Sequence, residues 1–127
     1  MKITTIIVRV LLGALFLFAS ISYFFTTPEV PPMTGNAKLF MDGINASGYL
    51  MNLVKVTELI CGLALASGFF TPLANLAILP VTVNILFVHI CVFHAEIPMA
   101  VGVFLANVFL IYAYRNNYTG VFSVKQL

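Results

Sequence analysis

Three strong hydrogen-bonding side chains, Glu58, Asn84 and Asn107, fall at one depth in a chain otherwise built from apolar runs. Counted from the ends of those runs, each sits near the middle of a membrane-length segment. A carboxylate there is too short to reach the headgroups. An ionised residue at a membrane helix centre costs roughly 2.5–3.5 kcal/mol on insertion scales, so it faces protein and has a partner. Asn84 and Asn107 carry amide hydrogens that a Glu58 carboxylate can accept. Lys55 stands three residues before Glu58, within pairing reach along one helix, and a paired Lys–Glu is less costly to bury than either alone. Two readings follow. One is a polar clasp that fixes helix register, because interhelical hydrogen bonds in membranes are common at about 0.6 kcal/mol each. The other is a proton-exchanging or ligand-binding carboxylate in a small cavity.

Secondary candidates are Arg9, Tyr23 and His89. Arg9, Gly13, Phe16, Ser20 and Tyr23 recur at alternating steps of four and three, which places them on one narrow helical face. Small and polar residues on a membrane helix mark the side that meets other helices, so this face reads as a packing seam. Arg9, near one end, can also snorkel to the headgroups. On an α-helical wheel His89 stands about 140° from Asn84 and shares its face with Thr82 and Asn75. His89 and His94 are five apart on one helix, the wrong arrangement for axial ligation of a haem from two sides. No His–carboxylate metal spacing and no Ser-His-Asp set is present, and Cys61 and Cys91 form no Cys-x-x-Cys pattern. Those cysteines read as packed thiols, too far apart in depth to be bridged. Whether the chain is an enzyme stays open, with no catalytic, metal or haem constellation in its sequence.

The elements that must position these residues are membrane helices. Of the 127 residues 61% are hydrophobic and 8% are Asp, Glu, Lys or Arg, with a mean hydropathy of +1.07. Soluble domains carry about 25% charged residues, so the chain belongs to the membrane class. Its net charge of +2 is scattered and offers no patch for nucleic acid. The spacing predicts an all-α, antiparallel transmembrane four-helix bundle in one domain, with spans at about 3–25, 49–70, 73–93 and 97–114. The outer loop, 26–48, opens with Pro28, Pro31 and Pro32 and can hold a short helix at 36–44, capped by Asn36 and closed by Gly43. Leu39, Phe40 and Ile44 would rest on the interface or the bundle mouth. Pro80 should bend the third span. Lys2, Arg9, Arg115 and Lys125 gather on the side of the termini, against Lys38 in the loops opposite, so both termini are expected in the cytoplasm. Tyr23 and Tyr49 form one aromatic belt, and Tyr112, Tyr114 and Tyr118 the other.

These residues resemble the DoxX family of small four-span membrane proteins. The likeness rests on Val8-Arg9-Val10-Leu11-Leu12-Gly13, and on Glu58, Gly62, Leu63-Ala64-Leu65 and Gly68-Phe69-Phe70-Thr71-Pro72-Leu73-Ala74. It covers Val8 to about His89. The family's Gly-x-Gly-Lys-like run at the end of the first helix is here Ser20-Ile21-Ser22-Tyr23, without the Lys, so no role of that Lys carries over. The resemblance implies a membrane subunit of a quinone- or thiol-linked redox assembly in a bacterial-type cytoplasmic (inner) membrane. It implies no cofactor held within the chain. The partners it suggests are the lipid bilayer, redox subunits and a quinone, the last fitting a bundle with 12 Phe and 5 Tyr. Two readings from other classes stand beside it. One is a proton-coupled carrier using the midplane carboxylate, for which four spans require a homo-oligomer. The other is a structural scaffold in which every polar residue only orders helices.

Overall fold

The computed structural model describes residues 2–26, 34–94 and 96–121. Lys125, Glu29 and the prolines at 28, 31 and 32 lie outside the described residues. Five α-helices follow in order: α1 (Lys2–Phe25), α2 (Gly35–Ser47), α3 (Leu50–Ser67), α4 (Thr71–Phe87) and α5 (Ile97–Ala113). A π-helical segment, Val88–Phe93, prolongs α4, and a 3₁₀ turn, Arg115–Tyr118, follows α5. Among the described residues α1, α3 and Thr71–Phe93 are long and apolar enough to cross a membrane. The 17 residues of α5 give about 26 Å at ~1.5 Å per residue, near the lower limit for a span.

α1 packs most extensively on α3, α3 on α4, and α4 on α5, while α5 closes the ring against α1. The result is the antiparallel bundle of four long helices, with α2 lying at the end opposite the α3–α4 turn, against α3 and the π-segment. Solvent preference is reversed relative to a soluble bundle. Ser20, Glu58, Thr71, Asn75, Thr82 and Asn107 are buried, whereas Leu11, Phe18, Ile60, Leu63, Leu73 and Leu105 are exposed. Such a surface is stable only in lipid, where apolar side chains have no reason to turn inward. The chain is an integral membrane protein.

The seam expected on α1 is used in its middle, at Gly13, Phe16 and Ser20, whereas Arg9 is half-buried and Tyr23 is exposed. Leu12, Gly13, Phe16 and Ser20 are the buried residues of α1, while Leu15 and Phe18 are exposed. The α1–α3 crossing is close because both partners are small there. A Cβ added to Gly13 would stand 2.7 Å from the Ala66 backbone nitrogen and 2.9 Å from the Gly62 oxygen. No side chain fits in that gap.

Several boundaries shift. The short helix begins at Gly35 behind Thr34 and ends at Ser47, where Gly48 takes the left-handed conformation at φ 79°. Gly43 therefore lies within α2 and does not close it, because the helix continues until a glycine can adopt positive φ. α3 stops at Ser67 for the same reason, with Gly68 at φ 87°. Phe70 then takes a left-handed φ of 56° to start α4 without a linker. Tyr118 is no belt residue: it is buried, and its hydroxyl donates to the Pro72 carbonyl, closing the end of the bundle that carries the α3–α4 turn. Cys61 is packed, but Cys91 is exposed, since the π-segment turns it outward.

Candidate functional site

The polar residues of the bundle divide into two groups. Nearer the α3–α4 turn, α4 presents an inward seam of Thr71, Ala74, Asn75, Ile78 and Thr82, at helical spacing. Asn107 on α5 meets that seam. Its amide nitrogen donates to the Asn75 carbonyl at 3.2 Å, and its oxygen lies 2.8 Å from the Thr82 hydroxyl. That hydroxyl is also 2.9 Å from the Leu79 carbonyl, and its single proton serves one acceptor at a time. Among the described residues the Asn75 amide and the Thr71 hydroxyl are buried without a hydrogen bond of ordinary geometry. The Tyr118 hydroxyl lies close enough to the Asn75 amide to feel it. Burial holds that hydroxyl above the usual tyrosine range, and the amide acts the other way. Arg9 lays its guanidinium against Gly68 at the end of α3, where the helix dipole favours a cation, and its Nε is buried without a hydrogen bond.

The second group surrounds a cavity of about 360 Å³ at the end that carries α2, bounded by α2, α3, α4 and the π-segment. Apolar walls come from Phe40, Met51, Val54, Ile85 and Val88 among others, and the polar atoms from Lys55, Glu58, Asn84 and His89. Glu58 is only 3% exposed. Its carboxylate accepts a 3.2 Å hydrogen bond from Lys55 Nζ, the buried ion pair of α3. Lys55 also approaches the Tyr23 ring, 5.8 Å from Nζ to the centroid. Tyr23 in turn donates to Asn52 Oδ1 at 3.0 Å, tying α1 to α3 at the rim. Asn84 donates to the Pro80 carbonyl at 2.9 Å. His89 Nδ1 lies 2.8 Å from the Ile85 carbonyl. Phe93 meets the rings of both His89 and Phe40, each edge to face, so α2 is joined to the π-segment across the cavity mouth.

The midplane residues thus do not form one cluster. Glu58, Lys55 and Asn84 share the cavity, whereas Asn107 belongs to the closed seam with Thr82 and Asn75. Equal depth did not decide their company, because depth fixes one coordinate and the azimuth of each helix fixes the other. His89 also departs from the wheel. Thr82 faces the core, yet His89 lines the cavity with Asn84. The wheel assumed a constant α-helical turn, and the π-segment, with its i→i+5 pattern, turns less per residue. Sequence reasoning also missed Thr82 as the partner of Asn107, although the four-three-four spacing of Thr71, Asn75, Ile78 and Thr82 marked that seam. Phe40 and Ile44, expected at the interface or the bundle mouth, line the cavity, while Leu39 is exposed.

Among the described residues no group of His, Cys, Asp and Glu is placed to hold a metal ion. What the cavity offers is an apolar chamber with an ammonium, a carboxylate, an amide and an imidazole at its wall. Its volume is within the range, about 300–1,000 Å³, that small-molecule sites use. The arrangement can orient the polar head of an amphiphile while burying its apolar body. In comparisons with known proteins, the family model described as DoxX matches residues 4–95. That span contains every residue lining the cavity and stops before Asn107. No curated protein and no solved structure matches the chain.

Proposed function

The chain belongs to the DoxX family, and from that premise we propose that it serves as a membrane subunit of a quinone- or thiol-linked redox assembly. In this reading the outer cavity receives the ring of a quinone–hydroquinone couple. The observation that carries it is the cavity itself: a chamber within the family-matched part of the chain, apolar on most of its wall and polar at four side chains. A ring of the quinone class fits such a space by chemistry. Lys55 supplies N–H groups for a carbonyl oxygen, Asn84 and His89 line the same wall, and Met51, Ile85 and Phe40 enclose the apolar face. When bound, such a compound supplies two-electron, two-proton chemistry. The chain supplies the orientation of the head and the exclusion of water.

Two measurements test this. Purification in mild detergent, followed by extraction, should recover quinone-class lipids and partner proteins in constant ratio to the chain. A preparation devoid of both, and unable to bind added short-tail quinone, refutes the reading. The membrane is the bacterial-type cytoplasmic (inner) one, with both termini and the α3–α4 turn in the cytoplasm. The support is the Lys/Arg distribution, with Lys2, Arg9 and Arg115 at that end. In a background with Cys61 and Cys91 replaced by Ala, an impermeant thiol reagent on intact cells should label Asn36→Cys and spare Asn116→Cys. The reverse pattern overturns the orientation.

A further inference from the structure

The hydrogen bonds that Asn84 and His89 already make determine what they have left to offer. A carbonyl oxygen can only accept, so the contact between His89 Nδ1 and the Ile85 carbonyl, 2.8 Å long, requires the proton on Nδ1. In the neutral ring Nε2 is then a lone-pair acceptor. Asn84 repeats the pattern one turn earlier: its nitrogen donates to the Pro80 carbonyl at 2.9 Å, which fixes the amide orientation and leaves Oδ1 as an acceptor. Both residues line the cavity. On the opposite wall one N–H of Lys55 is taken by Glu58, whose carboxylate is itself an acceptor. The α4 side of the chamber therefore offers two acceptors, His89 Nε2 and Asn84 Oδ1, against one remaining N–H on Asn84, and the one donor of His89 is spent on its own helix.

We propose that the cavity selects an amphiphile whose aromatic head donates hydrogen bonds, a phenol or hydroquinone hydroxyl, and that His89, with Asn84 beside it, is the specificity-determining residue. This rests on the cavity being an amphiphile site, as argued above, and specifies which protonation state of the head it holds. At His89 an aryl carbonyl or ether finds an acceptor facing an acceptor, and must turn to the remaining N–H groups of Lys55 or Asn84 instead. An aryl hydroxyl meets the His89 lone pair directly, in an environment where an unmade hydrogen bond is costly. The Phe93 ring, edge to face with His89, holds the imidazole plane while the Ile85 carbonyl holds its tautomer.

The probes are para-pentylphenol and para-pentylanisole, whose oxygen carries a proton in the first and a methyl group in the second. Equilibrium binding of each is measured on the full-length protein in nanodiscs, for the unaltered chain and for His89→Phe, His89→Gln and Asn84→Leu. The phenol is expected to bind about five-fold or more tightly than the ether, as one net hydrogen bond allows. That ratio should collapse toward one in His89→Phe, which keeps a ring against Phe93, and return in His89→Gln, which restores an acceptor. Comparing ratios between variants cancels the different partitioning of the two probes into lipid. Asn84→Leu should lower the ratio partially, and carries the test if His89→Phe does not fold. Equal binding of both probes to the unaltered chain overturns the selectivity and leaves the amphiphile site standing. Binding of neither overturns both. A preference that survives His89→Phe and Asn84→Leu unchanged overturns the assignment to these residues.

Discussion

Asn107 and Asn84 are the same residue type on neighbouring helices, and their hydrogen bonds go to different places. Asn107 reaches from α5 to α4, to the Asn75 carbonyl and the Thr82 hydroxyl. Asn84 turns back on α4 to the Pro80 carbonyl. The contrast extends to their surroundings. Toward the α3–α4 turn Tyr118 also reaches across, to Pro72. Around the outer cavity, Lys55 pairs with Glu58 within α3 and His89 with Ile85 within α4. The Tyr23–Asn52 hydrogen bond joins α1 to α3 at the rim, and the Phe40–Phe93 ring contact joins α2 to the π-segment. A polar group bonded across helices, as Asn107 is through both its amide nitrogen and its oxygen, holds the bundle. One bonded to its own helix, as the exposed Asn84 and the half-buried His89 are, keeps valence toward the cavity they line. The half toward the α3–α4 turn is therefore bonded as a fastening, while the half under α2 keeps the valences that the proposed site would use.

Substitutions can break or sharpen that division. The largest effect belongs to the α1–α3 crossing. Gly13→Leu has no room against Ala66 and Gly62 and should cost about 3 kcal/mol or prevent folding. Leu15→Phe, on the lipid face, should leave the detergent melting temperature unchanged. Equal tolerance at the two positions would mean that α1 packs by another face.

Next comes Asn107→Leu, which leaves the Thr82 hydroxyl with the Leu79 carbonyl alone and removes the bond from α5 to the Asn75 carbonyl. It should cost about 1–2 kcal/mol of stability while leaving amphiphile binding at the cavity unaltered. A loss of binding with stability intact would place Asn107 in the site and erase the distinction between the two halves.

Glu58 tests the other side. Glu58→Gln keeps the shape and can still accept from Lys55, so the melting temperature should hold to within about 0.5 kcal/mol of unfolding free energy. Binding, or the cellular role, should fall because the charge balance of the cavity wall has changed. Glu58→Leu should resemble it in function and cost stability, because it leaves the Lys55 ammonium without its partner, the loss being limited by how far the partly exposed Lys55 can stretch to the nearby interface. If Glu58→Gln functions normally and Glu58→Leu unfolds the bundle, the carboxylate is a clasp after all.

Smallest is the rim. Tyr23→Phe removes one exposed hydrogen bond to Asn52 and should cost no more than about 0.5–1 kcal/mol. It leaves the aromatic ring near Lys55 in place. A loss of binding as large as that of Glu58→Gln would extend the site to the α1–α3 rim.

The sequence by itself determined the class of solvent, the number of long helices, the seam of α1 and the internal Lys55–Glu58 pair. Each of these depends on composition or on short-range spacing along one helix, where the chemistry is periodic and local. Turn positions were legible to within a few residues, because Gly48 and Gly68 supply a conformation that other residues adopt at a cost. What only the tertiary structure decided is which polar residue meets which. Depth can be counted along a span, but azimuth depends on how each helix is rotated against its neighbours, and a π-helical segment resets it without any single residue announcing the change. That rotation put Asn107 into the closed seam, brought His89 to the cavity beside Asn84, and brought α2 over the mouth through Phe40 and Phe93. The cavity is the space left between four elements, and no stretch of chain encodes it alone.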